Sequence, residues 1–128
     1  MTYYFAKTLD IPFDDAVDQV ITALKGEGFG VLTTIDTQET LKKKLGVEFP
    51  RYVILGACNP TLAFDALQVE NKIGTMLPCN VIVRDNGEGR TEVAAVDPVS
   101  SMQAVDNPEL ANVAATVQAK LASVINSL

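Results

Sequence analysis

"RYVILGACNPTLAFDALQVENKIGTMLPCNVIV", residues 51–83, holds the choice between two folds. After its arginine the segment 51–57 is continuously apolar, the pattern of a strand buried on both sides. From Asn59 the period changes, and Leu62, Ala63, Ala66, Leu67 and Val69 share a helical face until "ENKIGT" breaks it. Asn59 suits an N-cap, and Pro60 suits the first helical position, where a missing N–H costs nothing. A second β-prone run opens at Cys79. Strand, helix, strand is the order of a right-handed βαβ crossover, which makes the two strands parallel and sets Cys58 and Cys79 about 17 Å or more apart. Antiparallel neighbours joined by a helical excursion put both cysteines at one end instead. Only that arrangement permits a disulfide or a shared site, because a bridge requires Cα atoms within about 7 Å.

Around this segment the other elements follow from periodicity. "TYYFAKTL" (2–9) alternates as a first strand, and "IPFDDAVDQVITALKGEG" (11–28) sets Val17, Val20, Ile21 and Leu24 on one helical face. Asp14 and Asp15 fall in that helix's first turn, where they oppose the positive end of its dipole. "FGVLTTID" (29–36) reads as a strand and "TQETLKKKLG" (37–46) as a short polar helix closed by Gly46. "CNVIVRDNGEGRTEVAAVD" (79–97) is a hairpin signal with Asn86-Gly87 at its turn. The final stretch opens at an Asn107-Pro108 cap and aligns Leu110, Val113, Ala114, Val117, Leu121, Val124 and Leu128, a long helix expected to cover the sheet. No repeat or linker divides residues 1–128, so a single domain is expected.

Composition excludes more than it selects. The 128 residues are 48% hydrophobic and 20% charged, a globular profile that needs no disulfides. A net charge of −6 discourages attraction to phosphate backbones, so no nucleic-acid partner is expected, and the one basic cluster, "KKK" at 42–44, reads as a solvated helix end. No apolar run approaches the ~20 residues needed to cross a bilayer and no leader pattern opens the chain, so a cytoplasmic location without a membrane partner is expected. The absence of histidine removes Ser-His and Cys-His nucleophile pairs and mixed Cys/His or His/carboxylate zinc sites. No G-x-G-x-x-G or Walker pattern opens a helix, so no cofactor is implied.

Chemistry therefore gathers around the two thiols. Cys58 stands one residue before a helix N-cap, where backbone N–H groups lower a thiol's pKa if the sulfur points toward them. The plainer reading is a small buried hydrophobe ending a strand. Asp97-Pro98 ends the last strand, where the aspartate caps the following turn through its side chain. In a hairpin of the last two strands, Asp97 returns to the neighbourhood of Cys79.

"YVILGACNPTLAFDAL", "IGTMLPCNVIV" and "VDPVSSM", in this order and spacing, resemble the uncharacterised prokaryotic family catalogued as domain of unknown function 302. Its hallmark falls on Cys58, Asn59, Pro60, Ala63, Leu67, Leu77, Pro78, Cys79, Val81 and Val83, and the resemblance spans essentially the whole chain. It implies a two-layer α+β domain of the TATA-binding-protein-like type, order β-α-β4-α, with a curved, mainly antiparallel sheet covered by helices, and a tendency to homodimerise. Two extra short helices, near 37–45 and 60–69, are expected beside that order. A mixed sheet with a parallel βαβ unit at 51–84 is the alternative.

The function expected is binding of a small-molecule ligand at the Cys58/Cys79 end of the sheet, with Cys58, Asn59, Pro60, Cys79 and Asp97 as candidate residues and no catalytic residue assigned. The alternatives are thiol redox or sulfur-species chemistry by the cysteine pair, and a purely structural or interaction role as a dimer. Two thiols from one chain are too few for a structural zinc, although a dimer could supply four and a copper(I) site could use two.

Overall fold

The structure, a computed structural model, describes residues 2–128. Five strands, β1 (Tyr4–Leu9), β2 (Gly30–Asp36), β3 (Tyr52–Cys58), β4 (Cys79–Gly87) and β5 (Arg90–Val96), form one sheet in the order β1-β5-β4-β3-β2. Every neighbouring pair is antiparallel, β3 and β4 included, so the parallel alternative at 51–84 is overturned. The helices are α1 (Phe13–Gly26), α2 (Thr37–Leu45), α3 (Pro60–Val69), the short α4 (Pro98–Ser101) and α5 (Leu110–Asn126). With the short helices set aside, the order is β-α-β4-α, the α+β architecture expected.

Alternation along the strands gives the sheet two unlike faces. Leu55, Ala57, Cys79, Val81, Val83, Val93 and Ala95 are buried beneath the helices. Onto them α1 presses Phe13, Ala16, Val20 and Leu24, spaced three and four residues apart, and α5 presses Val117, Leu121, Val124 and Ile125. Each large side chain buried this way contributes about 1.5–3 kcal/mol. Thr91, the buried polar side chain of this layer, donates its hydroxyl to the carbonyl of Ile11 at 2.8 Å, so burial leaves no orphan there. Lys7 reaches from β1 to the carbonyls of Asn126 and Leu128, placing a cation at the negative end of α5.

The opposite face carries Tyr4, Tyr52, Ile54, Ile82, Ala94 and Val96, partly exposed, together with an Arg84–Glu92 pair at 3.9 Å. This corrects the expectation that β3 is buried on both sides. Only Leu55, Gly56 and Ala57 are fully closed over, and the outward Tyr52 and Ile54 stay partly exposed.

Two further boundaries differ from the sequence reading. The β4–β5 turn is centred on Glu88-Gly89, with φ of 57° and 74°, rather than on Asn86-Gly87. A two-residue hairpin turn of this type needs positive φ at both central positions, and Gly87 (φ 83°) is absorbed by a register shift after Asp85. Helix α5 begins at Leu110, not at the Asn107-Pro108 pair. Asn107 still caps the turn that leads into α5, its Oδ1 accepting from the Glu109 N–H at 3.1 Å, while its Nδ2 donates to the carbonyl of Val69 at 2.7 Å and ties this approach to the end of α3.

Candidate functional site

The β3–β4 register pairs Ala57 with Cys79, which puts Cys58 and Cys79 at the same end of the sheet. At this end the chain leaves β3 into α3 and returns through a 3-10 turn (Ile73–Met76) and a cis Leu77–Pro78 bond. Gly56 makes the return possible. A Cβ there would lie 2.3 Å from Thr33 Oγ1 and 2.8 Å from Pro78 Cγ, so only glycine lets Pro78 settle against β3 and deliver Cys79 to the ladder.

Asn59 performs the capping role read from the sequence. Its Oδ1 accepts from the Leu62 N–H at 3.3 Å, and its Nδ2 donates to the Glu27 carbonyl at 3.4 Å. One amide thus starts α3 and fastens it to the turn that ends α1. That turn contains Gly28 at φ 85°, where a Cβ would stand 3.0 Å from Asn59 Nδ2. Pro60 occupies the first turn of α3 and is exposed to solvent.

Between α3, α5 and the cysteine end of the sheet lies a cavity of about 320 Å³. The sheet contributes Leu32, Ala57, Cys58 and Cys79; α3 contributes Leu62, Ala63, Ala66 and Leu67; α5 contributes Leu110, Val113, Ala114 and Val117. Met102 and Pro98 close it beyond β5. It sits where the main core meets a second apolar cluster built on Ala66, Ile73, Met102, Leu110 and Ala114. The space exists because alanines occupy facing positions: Ala63 and Ala66 on α3 and Ala114 on α5 leave room that larger residues would fill. The periodicity of the sequence places these residues correctly on apolar faces but does not show that the faces meet only in part, through Ala66, Leu110 and Ala114, and leave a space beside that contact.

The cavity wall carries no charged side chain; its side-chain polar groups are the two thiols and the Asn59 amide. Cys58 is half-buried, Cys79 is 7% exposed, and both are unpaired. Burial, and secondarily the neighbouring Cys58, push the Cys79 thiol up from its ordinary 9.0 to about 11. Cys79 is therefore a protonated, apolar thiol at neutral pH, the opposite of an activated nucleophile.

Asp97 stands just outside this lining, next to Pro98. Its Oδ1 accepts from the N–H groups of Val99 (3.0 Å) and Ser100 (3.4 Å), capping α4, and its two oxygens accept from Gln118 Nε2 at 3.1 and 3.2 Å. The carboxylate thus joins the end of β5 to α5. Among the described residues, no group of three or more His, Cys, Asp or Glu is placed to hold a metal ion, and no helix is long and apolar enough to cross a membrane.

The fold has a solved counterpart. An uncharacterised conserved DUF302 protein from Bacillus stearothermophilus, known from its crystal structure, is 28% identical to this chain, with 98% of each chain covered and a TM-score of 0.89. No curated protein matches the chain. The family model described as "Domain of unknown function DUF302" matches residues 5–128. With all but the first four residues inside that match, the chain belongs to the DUF302 family.

Proposed function

We propose that this protein is a small-molecule binding domain whose site is the cavity at the Cys58/Cys79 end of the sheet. The observation that carries this reading is the cavity itself: about 320 Å³, at the lower edge of the size range of ligand sites, and bordered by both cysteines and Asn59. The space opens to solvent past Leu32 and Leu67, so its apolar wall meets water unless a ligand covers it. Thiol redox chemistry is the weaker reading, because burial holds Cys79 protonated.

Cys58, Cys79 and Asn59 belong to the binding wall in this reading, while Pro60 and Asp97 act one step away, through the start of α3 and the brace on α5. We also propose a homodimer formed through the sheet face that carries Tyr4, Tyr52, Ile54 and Ile82. A two-fold axis there would cover these side chains, and the Arg84 and Glu92 charges allow a self-complementary contact. The free thiols suit residence in the reducing cytoplasm.

The test is a ligand-observed NMR screen of a fragment panel against the protein and its Ala63→Phe variant. Fragments that bind the parent and are lost from the variant support the reading. A panel without a binder, or with binders indifferent to Ala63→Phe, refutes it. Sedimentation should give twice the 13.7 kDa chain mass, reverting to one on Ile82→Asp.

A further inference from the structure

We infer that the occupant of the cavity is an uncharged, apolar molecule of about a dozen non-hydrogen atoms, with any weakly polar end at Cys58 and Asn59 and its hydrocarbon end against Met102 and Leu110. This rests on the binding reading above and adds the chemical class of the ligand.

Size comes first. An apolar cavity of about 150 Å³ holds one benzene, six carbon atoms, so about twice that volume accommodates about twice as many atoms. Charge comes second. No cation lines the wall to meet a carboxylate or phosphate, no anion lines it to meet an amine, and burying an unpaired charge in such surroundings is costly. The chain's net charge of −6 also works against an anion.

Hydrogen-bonding capacity comes third. The Asn59 amide, the one strong side-chain donor and acceptor in the wall, already bonds the Leu62 N–H and the Glu27 carbonyl. A sugar or nucleoside would therefore leave several hydroxyls without partners, each costing about 1–3 kcal/mol. The thiols ask for little, being weak donors that tolerate hydrocarbon contact. Cys58 and Asn59 are half-buried whereas Met102 and Leu110 are buried, which sets the direction of the ligand.

The experiment compares two ligands with the same number of carbon atoms, 1-decanol and sodium decanoate, titrated at pH 7 into protein carrying ¹³C-labelled Leu, Val and Met methyls. The expected result is saturable shifts at Leu62, Met102 and Val113 with decanol, none at Leu9 at the far end of the sheet, and decanoate weaker by at least about tenfold. Ala63→Phe should weaken decanol by at least about tenfold, and Ala63→Leu, a smaller filling, replaces it if the first variant does not fold. Decanoate binding as tightly as decanol would overturn the uncharged class while leaving the cavity a ligand site. Failure of decanol in protein that still binds a fragment of the panel overturns the apolar-chain inference alone. Failure of decanol, decanoate and every fragment overturns the binding reading with it.

Discussion

Replacing Cys79 by alanine should change how stability depends on pH more than it changes stability at neutral pH. Cys79 Sγ lies in the core beneath the helices, and the folded protein holds its proton up to about 11, against an ordinary value of 9.0. Between these values the unfolded chain releases a proton that the folded chain keeps. The folded state then binds more protons, so stability falls as pH rises through this window. Below pH 9 the contribution is fully present, and above about 11 it is gone. At about 1.4 kcal/mol per pH unit the loss amounts to about 3 kcal/mol.

Urea denaturation of wild type and Cys79→Ala at pH 8, 9, 10 and 11, under reducing conditions, isolates it, because every lysine and tyrosine titrates in both proteins. The stability advantage of wild type should shrink by about 2–3 kcal/mol from pH 9 to 11. In a Cys58→Ala background most of that narrowing should survive, because burial is the larger cause and Cys58 the smaller. An advantage constant to within about 0.5 kcal/mol across the series would refute the reasoning and place Cys79 in contact with water.

Other perturbations have separable outcomes. Gly56→Ala forces a Cβ against Thr33 Oγ1 and the Pro78 ring, and should cost about 1–3 kcal/mol in denaturant midpoints, with Thr33→Ala relieving only part because the proline ring cannot rotate away. Asp97→Ala removes the cap on α4 and the acceptor of Gln118, and should cost about 1–2 kcal/mol in denaturant midpoints. Leu121→Ala, at a fully buried position of α5, should lose about 2–5 kcal/mol by thermal or chemical denaturation.

Much of the fold is legible in the sequence because its long elements have clean periods. Helix α1 buries Val20 and Leu24 as its stripe requires, and α5 buries Leu121 and Val124. The relative direction of β3 and β4 is not legible in the same way. Helix α3 between them looks like a crossover, yet its ten residues reach only about 15 Å, and the chain turns back at Ile73–Met76 to the end it left. Resemblance to a known family, not periodicity, resolves that choice.

At the site, Asn59 is readable as a cap because its side chain acts three residues away. The bond from Asn59 to Glu27 and the bracing of Asp97 by Gln118 span 32 and 21 residues and leave no local trace. The cavity leaves none either, since Ala63, Ala66 and Ala114 have the same apolar character in an interior that closes and in one that does not.

A crystal of the protein equilibrated with xenon tests the central claim most directly, because dry apolar cavities take up the gas and filled interiors do not. Xenon density between Leu62, Met102 and Val113, beside the Cys58/Cys79 end of the sheet, is the result expected. Side chains collapsed across that space, or ordered water filling it in place of xenon, would contradict the assignment of this end of the domain as an apolar binding site.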